Sequence, residues 1–436
     1  MVNVIGGGLA GTEAAYQLVK RGISVKLFEM RPKNNTPAHT TENLAELVCS
    51  NSLGSKEFAS AQGLLKEELK MMGSLLIPLA EKAQVPAGGA LAVDREEFSL
   101  LVTEALEKEP LLEIIREEVS EIPQGPTIIA TGPLTSDTLA TSLAEFLGDE
   151  YLHFYDAAAP IVTKDSLDES NGFWASRYGK GSGEYFNAPL NKEEYEIFYE
   201  ALTSAESANK HAFEEKAFFE GCMPIEEIAR RGFDTLRFGP LKPVGLIDSK
   251  TGKEPYAVVQ LRQDDREGRL YNLVGFQTSL KWGEQKRVFS LIPALKEAEF
   301  VRLGVMHRNT FINAPRSLLP TFQVKKRGDL FLAGQLTGVE GYVESIASGL
   351  LAGVNLSRLQ QSKELIVLPE TTLLGALPRY ITSASTENFQ PMNANFGLLP
   401  LPQEKIRPKA KRKEFYANRS LRDLGEFIGE KELLQN

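Results

Sequence analysis

The sequence predicts an α/β fold in which a Rossmann-type dinucleotide-binding domain is interrupted by an inserted α+β domain. A strand, a glycine-rich turn, a helix and a second strand follow one another at the N-terminus. A second strand–glycine–helix unit occurs in the C-terminal third. Between them the chain becomes richer in aromatic and polar residues and has no further glycine fingerprint. We therefore predict two parts of one domain at 1–150 and 291–436, and an inserted domain at 151–290.

The N-terminal unit contains a dinucleotide-binding fingerprint. A short apolar run, residues 2–5, has the length of a buried strand and is followed by Gly6-Gly7-Gly8-Leu9-Ala10-Gly11. Gly6 allows a tight turn, Gly8 lets a pyrophosphate approach the backbone, and Gly11 lets the next helix pack against the strand. We therefore expect residues 6–11 to bind a dinucleotide.

The segments after the fingerprint have the order that this motif requires. A helix is predicted over residues 10–20, with its first N–H groups facing the phosphates. A second strand, 23–28, is followed by Glu29, which stands 18 residues after Gly11. A carboxylate at this place can accept hydrogen bonds from ribose hydroxyls.

Further elements complete the first part of this domain. Apolar side chains recur at helical spacing over 60–83, and Asp94 has the position of an N-cap, with Glu97 as its capping-box partner. Strands are predicted at 112–119 and at 127–132, the second ending in an Ala-Thr-Gly turn. Such a turn is typical of flavoproteins with two dinucleotide folds, although the tripeptide alone is common.

The C-terminal unit indicates which dinucleotide is bound. A buried strand, 329–335, ends at Gly334-Gln335, and a helix predicted to reach about residue 359 follows Gly341-Tyr342. In glutathione-reductase-like FAD-binding domains this element returns to the first part of the domain, and its helix start faces the flavin. The usual aspartate is replaced by Gln335, which keeps a hydrogen bond to a ribityl hydroxyl but not the charge. The combination favours FAD over NAD.

Composition excludes several other classes of protein. The chain has 436 residues, a net charge of −9 and two cysteines, which is too few for a disulfide framework. No apolar run approaches the ~18 residues of a membrane helix, and no signal peptide is apparent. Histidines and cysteines lack zinc-ligand spacing, so we expect no metal. These features predict a cytoplasmic protein.

Three features are candidates for substrate chemistry. Cys222 comes just before a predicted helix start at Pro224, where N–H groups stabilise a thiolate, and Cys49 lies in a polar turn. For each cysteine, a small buried apolar role is an equal alternative. His307 is flanked by polar residues, although a hydrogen-bonded role at a domain junction is slightly favoured for it. Six cations in the nine residues 405–413, including Lys409, Lys411, Arg412 and Lys413, form either a solvated surface or a nucleic-acid contact.

Five segments together closely resemble the TrmFO family, and the resemblance covers nearly the whole chain. These segments are GGGLAGTEAA at 6–15, FEMRP at 28–32, LVCSNSL at 47–53, FEGCMPIE at 219–226 and GQLTGVEGY at 334–342. TrmFO proteins are bacterial folate- and FAD-dependent tRNA (uracil-5-)-methyltransferases. The resemblance adds Met30 and Arg31 to the expected FAD contacts, together with Gly334, Gln335, Gly341 and Tyr342.

The resemblance implies an activity and its participants. The enzyme would methylate C5 of a T-loop uridine in tRNA, with 5,10-methylenetetrahydrofolate as the one-carbon donor and FAD reduced by NADPH or NADH. The two family cysteines correspond to Cys49 and Cys222, both expected at the site. Cys222 is the preferred nucleophile toward uracil, and Cys49 is a general acid–base or the alternative nucleophile. The family's pterin-stacking histidine corresponds to His307, and the basic run becomes a stronger candidate for a tRNA contact.

Three alternatives remain open at this point. A related FAD protein modifies the wobble uridine of tRNA, but it usually has histidine at the position of Leu9 and a longer C-terminal helical extension. A disulfide reductase or other small-molecule flavin oxidoreductase would be expected to have a redox CxxC motif, and these cysteines are 173 residues apart. An RNA-binding flavoprotein scaffold would keep its function after replacement of both cysteines.

Overall fold

A computed structural model describes the chain apart from residues 37, 149–151, 158, 180–182, 209–222, 305, 388, 405, 432 and 434–436. For residues 152–157, 306–309 and 409 it describes the backbone alone. The strands are β1 Val2–Ile5, β2 Val25–Phe28, β3 Ser52–Ser55, β4 Gln84–Val85, β5 Ala90–Val93, β6 Leu112–Ile115, β7 Thr127–Ile129, β8 Leu152–Ala157, β9 Ile161–Thr163, β10 Phe173–Trp174, β11 Tyr185–Leu190, β12 Ala257–Gln263, β13 Leu270–Leu273, β14 Phe300–Arg302, β15 Met306–Phe311, β16 Gln323–Val324 and β17 Arg327–Leu332. The α-helices are α1 Leu9–Val19, α2 Ala61–Met71, α3 Leu76–Lys82, α4 Arg95–Glu107, α5 Asp137–Leu147, α6 Lys192–Ser204, α7 Ile225–Arg230, α8 Thr235–Phe238, α9 Trp282–Phe289, α10 Ala314–Ser317, α11 Tyr342–Gln360, α12 Leu373–Ser383 and α13 Lys409–Lys431.

Two six-stranded sheets organise the molecule. The first has the order β16-β17-β7-β1-β2-β6, in which only the edge strand β16 is antiparallel to its neighbour. The second has the order β10-β11-β12-β13-β9-β14 and is antiparallel throughout. This combination confirms the predicted α/β fold with a parallel Rossmann-type sheet and an inserted antiparallel sheet. The boundaries at residues 150 and 290 stay predictions.

The first sheet joins the two ends of the sequence. Strand β17, from the C-terminal part, pairs in parallel with β7, and β7 pairs with β1. The C-terminal glycine unit therefore returns to the N-terminal fingerprint, as flavoprotein order predicts. Each sheet has its own apolar core, centred on Leu18, Leu27 and Phe331 for the first and on Phe186, Phe198 and Phe289 for the second.

Helices α1 and α11 pack unusually close together because small residues face each other. A Cβ atom added to Gly349 would lie 2.1 Å from the carbonyl oxygen of Ala10, and one added to Gly353 would lie 2.7 Å from that of Ala14. Both helices begin at the same side of the first sheet, so this packing brings their N-termini to one groove. Among the described residues, no helix is both long and apolar enough to cross a bilayer.

Candidate active site

The glycine turn lines a cavity at the carboxyl ends of β1 and β2. The predicted residues Gly6, Gly7 and Gly8 line it together with the segment Glu29-Met30-Arg31, and Thr131 of the Ala-Thr-Gly turn closes it. We call this space the fingerprint cavity. Leu9, Ala10 and Gly11 do not line the cavity; they form the buried first turn of α1 beside it.

The three fingerprint glycines have different surroundings. Gly6 has φ +101°, and a Cβ there would lie 2.6 Å from the carbonyl oxygen of Ala130. A Cβ on Gly11 would lie 1.8 Å from the carbonyl oxygen of Gly6, whereas a Cβ on Gly8 would meet nothing within 4 Å. The space above Gly8 is therefore open to a ligand. Helix α1 begins next to it without a side-chain cap, so its first N–H groups can bind a phosphate.

Glu29 lines the fingerprint cavity as a charged group. One carboxylate oxygen accepts a hydrogen bond from Gly7 N at 3.0 Å, and the other accepts from Arg31 N at 3.0 Å and Arg31 Nε at 2.9 Å. Burial alone would raise the pKa of Glu29, but the hydrogen bonds and charge of Arg31 hold that pKa below its ordinary value. A carboxylate oxygen can accept a second hydrogen bond, so the group also fits a ribose hydroxyl.

Arg31 serves the protein's own structure. Its side chain is fully buried, and its guanidinium also donates to Glu46 Oε2 at 2.9 Å and to the carbonyl oxygen of Thr41 at 3.0 Å. Arg31 therefore orients the carboxylate of Glu29 from the protein interior, and the carboxylate of Glu46 pairs with the same guanidinium.

A second cavity contains Cys49 and the start of α11. Three predicted residues, Gln335, Gly341 and Tyr342, line it with Cys49, and we call it the Cys49 cavity. Leu134 lines both cavities, so they adjoin, and we call the two together the groove between the fingerprint and Cys49. The sequence did not indicate three further lining residues: Gln277, Glu340 and Glu344.

Side chains in the Cys49 cavity are held by hydrogen bonds. The hydroxyl oxygen of Tyr342 accepts from Cys49 N at 2.8 Å and from Ser50 N at 3.1 Å. Burial and the neighbouring Cys49 raise the pKa of Tyr342, so this phenol stays neutral. Gln335 Nε2 donates to Glu340 Oε2 at 2.6 Å, which places a carboxylate close to the position where the usual aspartate is missing.

Gly334 lies behind this cavity, against α1. Its N–H donates to Ser348 Oγ at 2.7 Å, and a Cβ at Gly334 would lie 3.1 Å from that of Ala10. With φ +78° as well, this position requires glycine for close packing and for backbone conformation.

Besides Lys409, which is described by its backbone alone, two predicted residues cannot be placed as side chains. Cys222 lies outside the described residues, and His307 is described only by its backbone in β15, opposite Asp156. The strand that carries His307 ends beside the Gln335 turn, because Ile312 N donates to the carbonyl oxygen of Leu336 at 2.9 Å.

The described residues on both sides of segment 209–222 are attached to one short stretch. Ala208 N donates to the carbonyl oxygen of Ser279, and Ile225 N donates to that of Gln277, each at 2.7 Å. Gln277 lines the Cys49 cavity. The chain therefore enters and leaves this segment close to that cavity.

The basic run contributes the start of the C-terminal helix. α13 begins at Lys409, and its first turn contains no acidic residue. Lys411 and Arg412 are exposed, and Lys413 is half-buried. The next turns anchor the helix, because Tyr416 is buried against the core and stacks on Phe396 with ring centroids 5.6 Å apart. The cations are thus presented on a fixed helix end.

Comparison with known proteins identifies the family. A family model described as glucose inhibited division protein A matches residues 1–364. A relative from Bacillus cereus (strain G9842), named methylenetetrahydrofolate--tRNA-(uracil-5-)-methyltransferase TrmFO, is 59% identical over 428 residues, which span 98% of this chain and 99% of the relative. The chain belongs to the TrmFO family. The resemblance predicted from the sequence is therefore confirmed.

A second TrmFO relative and a solved structure agree with this assignment. TrmFO from Listeria monocytogenes serotype 4b is 60% identical over 420 residues, covering 96% of this chain and 97% of the relative. The structure of Aquifex aeolicus GidA matches all of this chain and 74% of its own length with a TM-score of 0.72. At 17% identity that match shows a shared fold and nothing more.

Proposed function

We propose that this protein methylates C5 of a T-loop uridine in tRNA, forming 5-methyluridine, and uses 5,10-methylenetetrahydrofolate as its one-carbon donor. The names of the TrmFO relatives supply the donor, the nucleic acid and the base. One observation carries the proposal for this chain: the cavity at the glycine fingerprint adjoins a second cavity that contains a thiol, Cys49. A cytoplasmic location, as predicted above, accompanies this function.

The groove fits FAD as the resident cofactor. Gly6, Gly7 and Gly8 would hold the pyrophosphate, Glu29 the ribose, and Gln335 with the start of α11 the flavin end. The open space above Gly8 supports this assignment, since a side chain there would fill it. Bound FAD, reduced by NADPH or NADH, would supply the redox and one-carbon chemistry that side chains cannot provide.

The two cysteines would activate the uracil. C5 is a weak nucleophile until a thiolate adds to C6, which converts the ring to an enolate. We assign this addition to Cys222. The hydrogen bond from Ile225 N to the carbonyl oxygen of Gln277, which lines the Cys49 cavity, supports this assignment, because Ile225 follows Cys222 by three residues in the sequence. We assign to Cys49 the removal of the C5 proton after transfer, because it lines the flavin end of the groove.

His307 and the basic helix end would bind the substrates. The strand of His307 ends beside the Gln335 turn, which supports a contact with the pterin of the folate. Cations in the first turn of a helix oppose the helix dipole, at a cost of roughly 0.3–1 kcal/mol each. Lys409, Lys411, Arg412 and Lys413 collect there in a protein of net charge −9. We propose that tRNA phosphates offset this repulsion.

A product assay tests the activity. The purified protein would be incubated with T-loop-unmodified tRNA, NADPH and methylenetetrahydrofolate labelled in its one-carbon unit, and the digested RNA examined for labelled 5-methyluridine. We expect label with the wild type, little with Cys222→Ala or Cys49→Ala, and none with a tRNA whose T-loop uridine is replaced by cytidine. Absence of label from a protein that holds FAD and oxidises NADPH would exclude this function.

A binding assay tests the basic helix end separately. Neutralising Lys411, Arg412 and Lys413 together to glutamine should weaken tRNA binding and reduce the slope of log K against log[salt] by about 2. The matched control neutralises Lys108 and Lys192, which are exposed and lie elsewhere on the surface. Equal salt slopes for the two variants would show that the basic helix end is not part of the tRNA interface.

A further inference from the structure

Residues 47–51, which we call the Cys49 loop, are held by arginines from the antiparallel sheet. Arg302, in the edge strand β14, donates from Nη2 to the carbonyl oxygen of Val48 at 2.8 Å. Val48 directly precedes Cys49, so this hydrogen bond fixes the peptide unit on the N-terminal side of the thiol.

Arg262, in the central strand β12, holds the other side of the loop. Its Nη2 donates to Ser50 Oγ at 2.8 Å and its Nε donates to Asn51 Oδ1 at 3.1 Å. The Asn51 amide in turn donates to the carbonyl oxygens of Gln263 at 3.0 Å and Val93 at 3.1 Å. Both residues of this pair are buried, with Arg262 7% exposed and Asn51 fully buried.

Further contacts of the loop come from the dinucleotide-binding side. Tyr342 accepts from the N–H groups of Cys49 and Ser50, and Arg95 donates weakly to the carbonyl oxygen of Cys49 at 3.4 Å while pairing with Asp264 at 3.2 Å. The peptide unit before Cys49 is therefore bound by Arg302 of the antiparallel sheet and by Tyr342. The peptide unit after Cys49 is bound by Tyr342 and Arg95, from the dinucleotide-binding side.

We infer that Arg302 and Arg262 are positioning residues for Cys49, through which the antiparallel sheet fixes the thiol at the flavin end of the groove. The inference rests on the proposed function, since it assigns a geometric requirement to the reaction at Cys49. A displacement of about 1 Å at a reacting group can cost roughly 100-fold in rate. Loss of either arginine would release one side of the loop without removing a residue that lines the fingerprint cavity or the Cys49 cavity.

The two arginines predict different responses to lysine. Arg302 makes one hydrogen bond to the loop, which a lysine ammonium can reproduce. Arg262 binds two acceptors with two nitrogens of one planar group, and lysine lacks this fork. Arg302→Lys should therefore retain most of the wild-type kcat, whereas Arg262→Lys should resemble Arg262→Gln.

Kinetics and hydrogen exchange test the inference together. In the methylation assay, Arg302→Gln and Arg262→Gln should lower kcat by about 10-fold or more with little change in KM for tRNA or folate. Amide exchange followed by mass spectrometry should accelerate in peptides covering residues 47–53 and stay unchanged in peptides of α11. Arg287→Gln is the matched control, because this arginine of the same domain is half-exposed and pairs only locally with Glu284.

Each outcome decides the inference. Wild-type kcat in both glutamine variants, or loop exchange equal to that of Arg287→Gln, would overturn it. If the glutamine variants do not fold, the lysine pair decides, and equal behaviour of Arg302→Lys and Arg262→Lys would overturn it. The exchange measurement needs no methyl transfer, so it still reads the loop if the proposed function itself fails.

Discussion

Replacing Gly349 by alanine should separate α11 from α1 and release the cofactor. The new Cβ would lie 2.1 Å from the carbonyl oxygen of Ala10 and 2.8 Å from its Cα, whereas ordinary van der Waals contact begins at 3.4 Å. The helices must therefore move apart by about 1.3 Å, the difference between 3.4 and 2.1 Å. Both atoms that would be struck belong to backbone, so no side-chain rotation can relieve the overlap.

The magnitude follows from overpacking and from ligand loss. Overpacking of this kind costs roughly 1–3 kcal/mol. Ala10 lies in the first turn of α1, whose N–H groups face the fingerprint cavity, so the shift also disturbs the expected phosphate contacts. Loss of a ligand present at 100 times its Kd removes about 2.7 kcal/mol more. Together these losses come to about 4–6 kcal/mol, and at roughly 2–4 °C per kcal/mol we expect the Tm to fall by about 7–23 °C.

The assay combines thermal unfolding with flavin content. The Tm is measured by circular dichroism, and FAD occupancy is measured from the ratio of absorbance at 450 and 280 nm. Gly353→Ala should show a smaller effect, because its Cβ would stop 2.7 Å from the carbonyl oxygen of Ala14. Gly429→Ala, in α13, is the control: its Cβ would meet nothing within 4 Å, and better helix propensity should add about 1 kcal/mol. A yellow Gly349→Ala protein with the wild-type Tm would refute this reasoning.

Three further changes have outcomes set by the structure. Gly8→Ala should leave the Tm of the apoprotein unchanged but weaken FAD binding to it at least tenfold in a fluorescence titration, because its methyl group fills only ligand space; wild-type affinity would contradict this. Arg31→Met should lower the free energy of unfolding by about 3–5 kcal/mol in urea titrations, since it leaves Glu29 and Glu46 buried without their cation; a loss below 1 kcal/mol would contradict it. Burial raises the pKa of Glu68 to about 7 from an ordinary 4.5. Protonated Glu68 therefore contributes to the free energy of unfolding in full below pH 4.5, and this contribution, about 3 kcal/mol, is lost as the pH rises to 7. Glu68→Gln should therefore show a smaller decline in stability between pH 5 and pH 8 than the wild type, and parallel declines would contradict the assignment.

The parts of the fold that local sequence determines are the parts that were predictable. Helix α1 was expected at 10–20 and occupies Leu9–Val19, and the helix after Tyr342 was expected to reach about residue 359 and ends at Gln360. Apolar periodicity and the fingerprint glycines set these elements without help from distant residues. Strand lengths were less predictable: the strand expected at 112–119 ends at Ile115, because only four residues find partners on β2.

One helix prediction shows how a distant residue changes a local pattern. Residues 60–83 have continuous helical periodicity, but the structure contains two helices that are separated at Gly73, which has φ +74°. The carboxylate of Glu13, buried in α1, accepts from Ser74 Oγ at 2.8 Å and from Leu76 N at 3.2 Å. A new helix start is thus satisfied by a group 61 residues away in sequence, which no local window contains.

The surroundings of Cys49 were also unpredictable from local sequence, because they depend on residues that are even farther away in the chain. Its neighbours in the loop are bound by side chains 212, 254 and 292 residues away, from two strands of the antiparallel sheet and from the start of α11. A glycine fingerprint acts through backbone conformation, so its function can be seen in six consecutive residues. A thiol acts through its orientation, which here depends on where the antiparallel sheet meets the Rossmann-type sheet. The contacts that the antiparallel sheet makes with residues 48, 50 and 51 are therefore the ones that would set the direction of the thiol.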